Sequence, residues 1–280
     1  MDTSPPNPFP RRTAPLFLFL HIPKTAGSSL RRVLQQMFAP HLHFFTESGE
    51  LAHTPEHLAR WADPAFYDDY LLLGGHVGRN HPVMRAEAAR RRRIYISVMR
   101  DPVRRAVSGY DFSRRFPRHP MREWLANKTL LQAITTPGPF RDRYVNDQLR
   151  YVFGTTNPDL AESRLHEDNH ILAPIEKLEA FVDTISAVSG MPRPPAVPRL
   201  NTAVDLSDAG IERAEEQPDY PLALEAIAEA NAEEARFIER HLRDVLVTTC
   251  RKPWLMEEAR GASRPAARRA AARRVAAGGA

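Results

Sequence analysis

The stretch FLFLHIPKTAGSSLRRVLQQMF, Phe17 to Phe38, decides the fold. Phe17 to Leu20 is a short apolar run with the length and composition of a buried strand. Leu30, Val33, Leu34, Met37 and Phe38 then recur at the i, i+3, i+4, i+7 spacing of one helical face. Between them lies a turn of small residues, Pro23 to Ser29, with one lysine. A strand, a small-residue loop and a helix in this order bring backbone N–H groups and the positive end of the helix dipole to one point. Lys24 and the hydroxyls of Thr25, Ser28 and Ser29 are expected to converge there. With Ala26 in the loop and Gly27 allowing close backbone approach, the segment predicts a cradle for a phosphate-like anion.

A second segment, IYISVMRDPVRRAVSGYDF from Ile94 to Phe112, repeats the strand-to-helix plan. The apolar run Ile94 to Met99 ends at Arg100-Asp101-Pro102, where proline suits a first helical turn. Val103, Ala106, Val107 and Tyr110 mark the buried face expected of that helix. Arg100 then stands at a strand's carboxyl end and Ser108 about two helical turns on, so that both reach one dianionic phosphate. A third run, Leu71-Leu72-Leu73-Gly74-Gly75, loses its bulk just before His76 and Val77. Ligands of open α/β sheets gather beyond the carboxyl ends of the strands, which places His76 at a candidate site as well.

In the first loop Lys24 precedes Gly27, the reverse of a nucleotide-binding P-loop, in which a Ser or Thr follows the lysine to hold magnesium. The string from His21 to Ser29 resembles instead the 5′-phosphosulfate loop of the carbohydrate sulfotransferases related to heparan sulfate 2-O-sulfotransferase (sulfotransferase family 2 type). These enzymes use 3′-phosphoadenosine 5′-phosphosulfate (PAPS). Arg100-Asp101-Pro102 with Ser108 resembles the 3′-phosphate motif of the same enzymes, and Gly75-His76-Val77 resembles the segment carrying their proposed catalytic base. Some members have a further histidine two positions before that base, where this chain has Gly74. Softer matches at Asn146 to Gly154, at Ile171 to Phe181 and at Leu200-Asn201 extend the resemblance over about residues 15 to 205.

The resemblance implies a sulfotransferase that moves a sulfuryl group from PAPS to an acceptor hydroxyl of a carbohydrate or glycoconjugate, releasing PAP. It implies Lys24, Thr25, Ala26, Gly27, Ser28 and Ser29 at the 5′-phosphate, with Lys24 also at the leaving group, Arg100 and Ser108 at the 3′-phosphate, and His76 as general base. No metal is expected, because a sulfonate carries less charge than a terminal phosphate. Alternation of strands and helices itself gives an α/β fold, a single P-loop-like domain with a central parallel sheet flanked by helices. Two other classes share parts of this pattern. A P-loop kinase would use ATP and magnesium, and a non-catalytic anionic-polymer binding protein would rely on arginine clusters and bind with steep salt dependence.

The 280 residues, 42% of them hydrophobic, are enough to bury a substantial core. The domain is expected over residues 14–250, between a Pro-rich flexible leader (1–13) and a disordered Arg/Ala-rich tail (251–280). That tail holds eight basic and two acidic residues, more than the whole formal charge of +5, and leaves residues 1–250 at −1. A nucleic-acid-binding core is therefore not indicated. A single cysteine, Cys250, excludes an intrachain disulfide and paired-cysteine metal sites. No apolar run approaches the roughly 20 residues of a membrane span, and the expectation is a soluble, cytoplasmic protein, in the resembled family a bacterial member. His41, His43, His53 and His57 match no zinc spacing and are expected in surface or packing roles. Arg104, Arg105, Arg114, Arg115 and Arg118 are candidates to meet an acidic acceptor. Thr54-Pro55 is a helix start, Leu178 to Val188 an amphipathic helix stopping at Gly190, residues 191–200 a stiff extended connector, and Leu222 to Leu246 one long terminal helix.

Overall fold

The structure, a computed structural model, describes residues 14–45, 48–198 and 211–249. The expected leader and tail, Cys250 and Leu200-Asn201 lie outside the described residues. Strands β1 (Leu16–Leu20), β2 (Leu42–Phe45), β3 (Leu72–Gly75), β4 (Arg93–Met99), β5 (His170–Pro174) and β6 (Leu246–Thr248) form one sheet in the order β2-β3-β1-β4-β5-β6. Every neighbouring pair is parallel except β5 with β6. The first helices are α1 (Gly27–Phe38), α2 (Pro55–Ala62), α3 (Pro64–Asp68), α4 (Pro82–Arg85) and α5 (Pro102–Arg115). Then follow α6 (Arg122–Leu125), α7 (Leu130–Thr135), α8 (Pro139–Tyr144), α9 (Asp147–Phe153) and α10 (Pro158–Glu167). The last are α11 (Leu178–Ser189), α12 (Tyr220–Ala230) and α13 (Ala232–His241). The architecture is the expected α/β one, a largely parallel sheet flanked by helices.

Strand β1 is apolar throughout because both of its faces are covered. Leu16, Leu18 and Leu20 point into one core with Leu73, Tyr95 and Leu172, under α2–α4, α9 and α10. Phe17 and Phe19 point the other way, against Leu30, Val33 and Leu34 of α1 and Phe181, Val182 and Ile185 of α11. Each such side chain contributes about 1.5–3 kcal/mol on full burial, which fixes strand and helix together. A third core joins α5–α8 to α12 through Tyr110, Leu130, Ile134, Phe140, Tyr144 and Ile227.

The helix start at Thr54 is as expected, its hydroxyl accepting from the His57 N–H at 3.3 Å, and α11 stops at Gly190 with φ 70°. The single long terminal helix is corrected. It breaks at Asn231, a buried residue whose side-chain oxygen accepts from the Asn146 N–H at 2.8 Å while its amide donates to the Ile227 carbonyl at 3.0 Å. Leu246 belongs to β6 instead. Among the described residues no helix is long and apolar enough to cross a membrane, and no cluster of three metal-ligating side chains occurs.

Candidate active site

The carboxyl ends of β1, β3, β4 and β5 open into one cavity of about 1040 Å³, at the upper end of the range for small-molecule and cofactor sites. Of the residues singled out in the sequence, Lys24, Ala26, Gly27, Ser28, Ser29, His76, Arg100 and Ser108 line it. Lys24 (φ 70°) and Ala26 (φ 62°) both adopt the left-handed conformation without being glycine, a strain of about 1–3 kcal/mol each that persists only where the surroundings enforce it and that gathers at ligand-binding loops. Ala26 is the N-cap of α1 and its methyl offers no cap; no acidic residue stands in the first turn. The positive end of the α1 dipole therefore faces the cavity without a neutralising carboxylate of its own helix.

Two of the cations that line the cavity stand close together. Arg100, partly buried, donates to the Lys24 carbonyl at 3.2 Å and so ties the end of β4 to the loop after β1. The Lys24 ammonium lies 3.8 Å from the centre of the Phe112 ring, a cation–π seat on α5. Burial, with Arg100 nearby, pushes Lys24 down to about 8, Asp111 pulling the other way. Ser108 lines the cavity from the same helix.

His76 follows β3 and is exposed to the cavity. Its Nδ1 is 3.2 Å from the His21 carbonyl oxygen. A carbonyl only accepts, so Nδ1 carries the proton and Nε2 keeps its lone pair, the form a general base requires. Burial lowers the His76 pKa; the bond to the His21 carbonyl opposes this, and Arg143 and Arg31 add to the lowering.

A buried polar network holds these groups. Arg105, 1% exposed, donates Nε–H to the Pro23 carbonyl at 3.1 Å and an Nη2–H to Asp147 Oδ2 at 3.0 Å and to the Arg143 carbonyl at 3.1 Å. It thereby ties the loop after β1 to α9. Gln148 brackets Arg100, accepting from its N–H at 2.9 Å and donating to its carbonyl at 2.8 Å. Buried Glu234 of α13 accepts in turn from the Gln148 N–H at 2.8 Å and the Gln148 side chain at 2.6 Å.

Two sequence readings are corrected here and one is extended. The Thr25 hydroxyl is turned inward and donates to the Ile22 carbonyl at 2.9 Å, so it braces the loop and has no proton left for an anion. Gly27 is small for a second reason: a Cβ there would sit 1.4 Å from His21 Nε2. None of Arg104, Arg105, Arg114, Arg115 and Arg118 lines the cavity. Arg105 and Arg115 are buried, Arg104 and Arg118 point to solvent, and Arg114 donates to the Tyr110 hydroxyl at 3.0 Å. Arg143, His119, Phe112 and Glu176 line it instead, brought in by α5, α8 and the segments after α5 and β5. Of the early histidines, His43 pairs with Glu50 at 3.0 Å and His57 donates to the Ala52 carbonyl at 2.8 Å.

No family model matches the chain, and no curated protein matches it in sequence. Among solved structures, the mouse sulfotransferase SULT7A1 complexed with PAP is similar with a TM-score of 0.40 and 15% sequence identity, over 83% of this chain and 90% of that one. A likeness that distant says nothing about what this chain binds or does.

Proposed function

We propose that this protein is a PAPS-dependent sulfotransferase of the type its first loop resembles, acting on an acceptor hydroxyl, with a saccharide as the acceptor class that the resemblance implies. The observation that carries the reading is convergence: Lys24 and residues 26–29 of the loop, Arg100 with Ser108, and His76, far apart in sequence, line one cavity. In the proposed site the amides at the start of α1 and Lys24 receive the 5′-phosphate, and Arg100 with Ser108 receives the 3′-phosphate through charge-assisted and neutral hydrogen bonds.

Sulfuryl transfer follows the logic of phosphoryl transfer, in which positioning and charge stabilisation of a loose, in-line transition state do most of the work. The acceptor oxygen forms a bond to sulfur as the bond from sulfur to the bridging oxygen breaks. That electron pair leaves on the 5′-phosphate of PAP, where the Lys24 ammonium and the loop amides stabilise it. The acceptor's proton passes to His76 Nε2. The test is PAP release from PAPS with a panel of hydroxyl-bearing acceptors. His76→Ala is expected to keep PAP affinity and lose roughly 10²- to 10⁴-fold in turnover; full turnover in that variant would remove the base assignment.

A further inference from the structure

We infer that the imidazole of His21 is a positioning residue for His76, a flat platform seated in the notch left by Gly27 that fixes the plane of the base. The role of His76 as a base rests on the sulfotransferase reading; the packing does not. The His21 ring stacks with both Phe19 (centroids 5.4 Å apart, planes at 12°) and His76 (3.9 Å, 26°). A methyl group at position 27 would lie 1.4 Å from His21 Nε2 and 2.0 Å from its Cδ2, so the ring occupies the volume that any side chain there would need. The first residue of the anion-loop helix is thus also what admits the platform, and loop and base are built as one unit.

Backbone and ring of His21 supply different constraints. The carbonyl bond at 3.2 Å selects the Nδ1–H tautomer of His76, but one hydrogen bond leaves a ring free to turn about the N–H···O axis. A second aromatic plane in contact removes that freedom and directs Nε2. Charge agrees with this arrangement. Burial holds His21 well below the ordinary histidine range, with His76 and Arg31 acting in the same direction, so it remains uncharged when His76 accepts a proton. The other charged groups acting on His76 are Arg31 of α1 and Arg143 of α8, and the Tyr151 hydroxyl of α9 lies 3.5 Å from the His76 carbonyl.

The test uses the full chain with ¹⁵N-labelled histidine and reads the ring nitrogens of His76 by NMR across pH, together with PAP affinity and turnover. His21→Leu fills the notch without a flat face, and His21→Phe restores the face. The Leu variant is expected to keep the Nδ1–H tautomer, which the backbone carbonyl selects, and to show a shifted His76 titration midpoint. Its turnover should fall roughly 10- to 100-fold, the scale of a misplaced reacting group, with PAP affinity within about threefold of wild type, under 1 kcal/mol. The Phe variant is expected to recover the midpoint and most of the turnover. A wild-type midpoint and turnover in the Leu variant, a Phe variant that restores neither, or a loss confined to PAP affinity would each overturn the inference. If the wild type transfers sulfuryl to no acceptor, the proposed function fails while the NMR reading still decides the platform.

Discussion

Removing the carboxylate of Asp147 should separate what holds this protein together from what makes its anion loop competent. Asp147 and Arg105 are 0% and 1% exposed at the side chain and lie 3.0 Å apart. Asp147→Asn removes the carboxylate paired with a buried guanidinium and leaves Glu234 acting on it without an ion pair, a loss of about 3–5 kcal/mol for a broken buried pair. Arg150, the second partner of Asp147, is 53% exposed and can turn to water, so the loss falls on Arg105. Replacing both members, Arg105→Met with Asp147→Leu, removes the buried charge altogether, and such exchanges are often neutral for stability. Yet the double variant also loses the Arg105 bond to the Pro23 carbonyl at 3.1 Å. A hydrogen bond to a charged group is worth about 1.5–3 kcal/mol, so PAP should bind at least about tenfold more weakly even where stability recovers. Urea unfolding and calorimetric titration with PAP measure the two effects. A single variant that loses less than about 1 kcal/mol, or a double variant that is stable and binds PAP at wild-type strength, would refute the assignment of Arg105 as the anchor of the loop.

Other predictions follow from the same geometry. Because Lys24 is pushed down to about 8, a dianion bound beside it should restore its charge. PAP binding at pH 9 should therefore take up a proton and should strengthen as pH falls toward 8; calorimetry in two buffers of different ionisation enthalpy shows this, and Lys24→Met should abolish it. The lowered pKa of His76 puts the acid limb of turnover below pH 6.5, since the neutral form is required and is lost as pH falls through that pKa. An acid limb at or above 6.5 in the pH–rate profile contradicts the assignment. Glu234→Gln replaces one accepting oxygen with an NH₂ group facing donors of Gln148 and Leu149. It should cost about 1–3 kcal/mol in unfolding free energy and weaken PAP through the loosened Arg100.

Much of the frame was legible in the sequence because its signals are local. The five apolar positions chosen for α1 are all buried, and the alternation Leu16, Phe17, Leu18, Phe19, Leu20 divides between the two cores. What was not legible depends on partners distant in the chain. The buried face of α5 runs through Pro102, Arg105, Ala106, Gly109 and Tyr110, rotated from the Val103–Val107 stripe because a buried arginine reads as polar until Asp147 is known to meet it. Arg104 and Arg105 are identical in type and adjacent, and only tertiary contact separates the solvated one from the anchor. Asn231 breaks the terminal helix through a bond to Asn146, which no local propensity shows. Arg143 and His119 reach the cavity from segments with no motif. His21 was in plain view inside the loop string, and a histidine six residues before a glycine gives no sign that one fits into the space left by the other.

The most direct measurement is calorimetric binding of PAP against ATP with magnesium, on the wild type and on Arg100→Ala. The donor reading requires a 3′-phosphate site at Arg100 and Ser108, so PAP should bind much more tightly than ATP, and Arg100→Ala should erase that preference while leaving the fold intact. Equal or stronger binding of ATP, or a preference for PAP that survives loss of Arg100, would contradict the account at its centre.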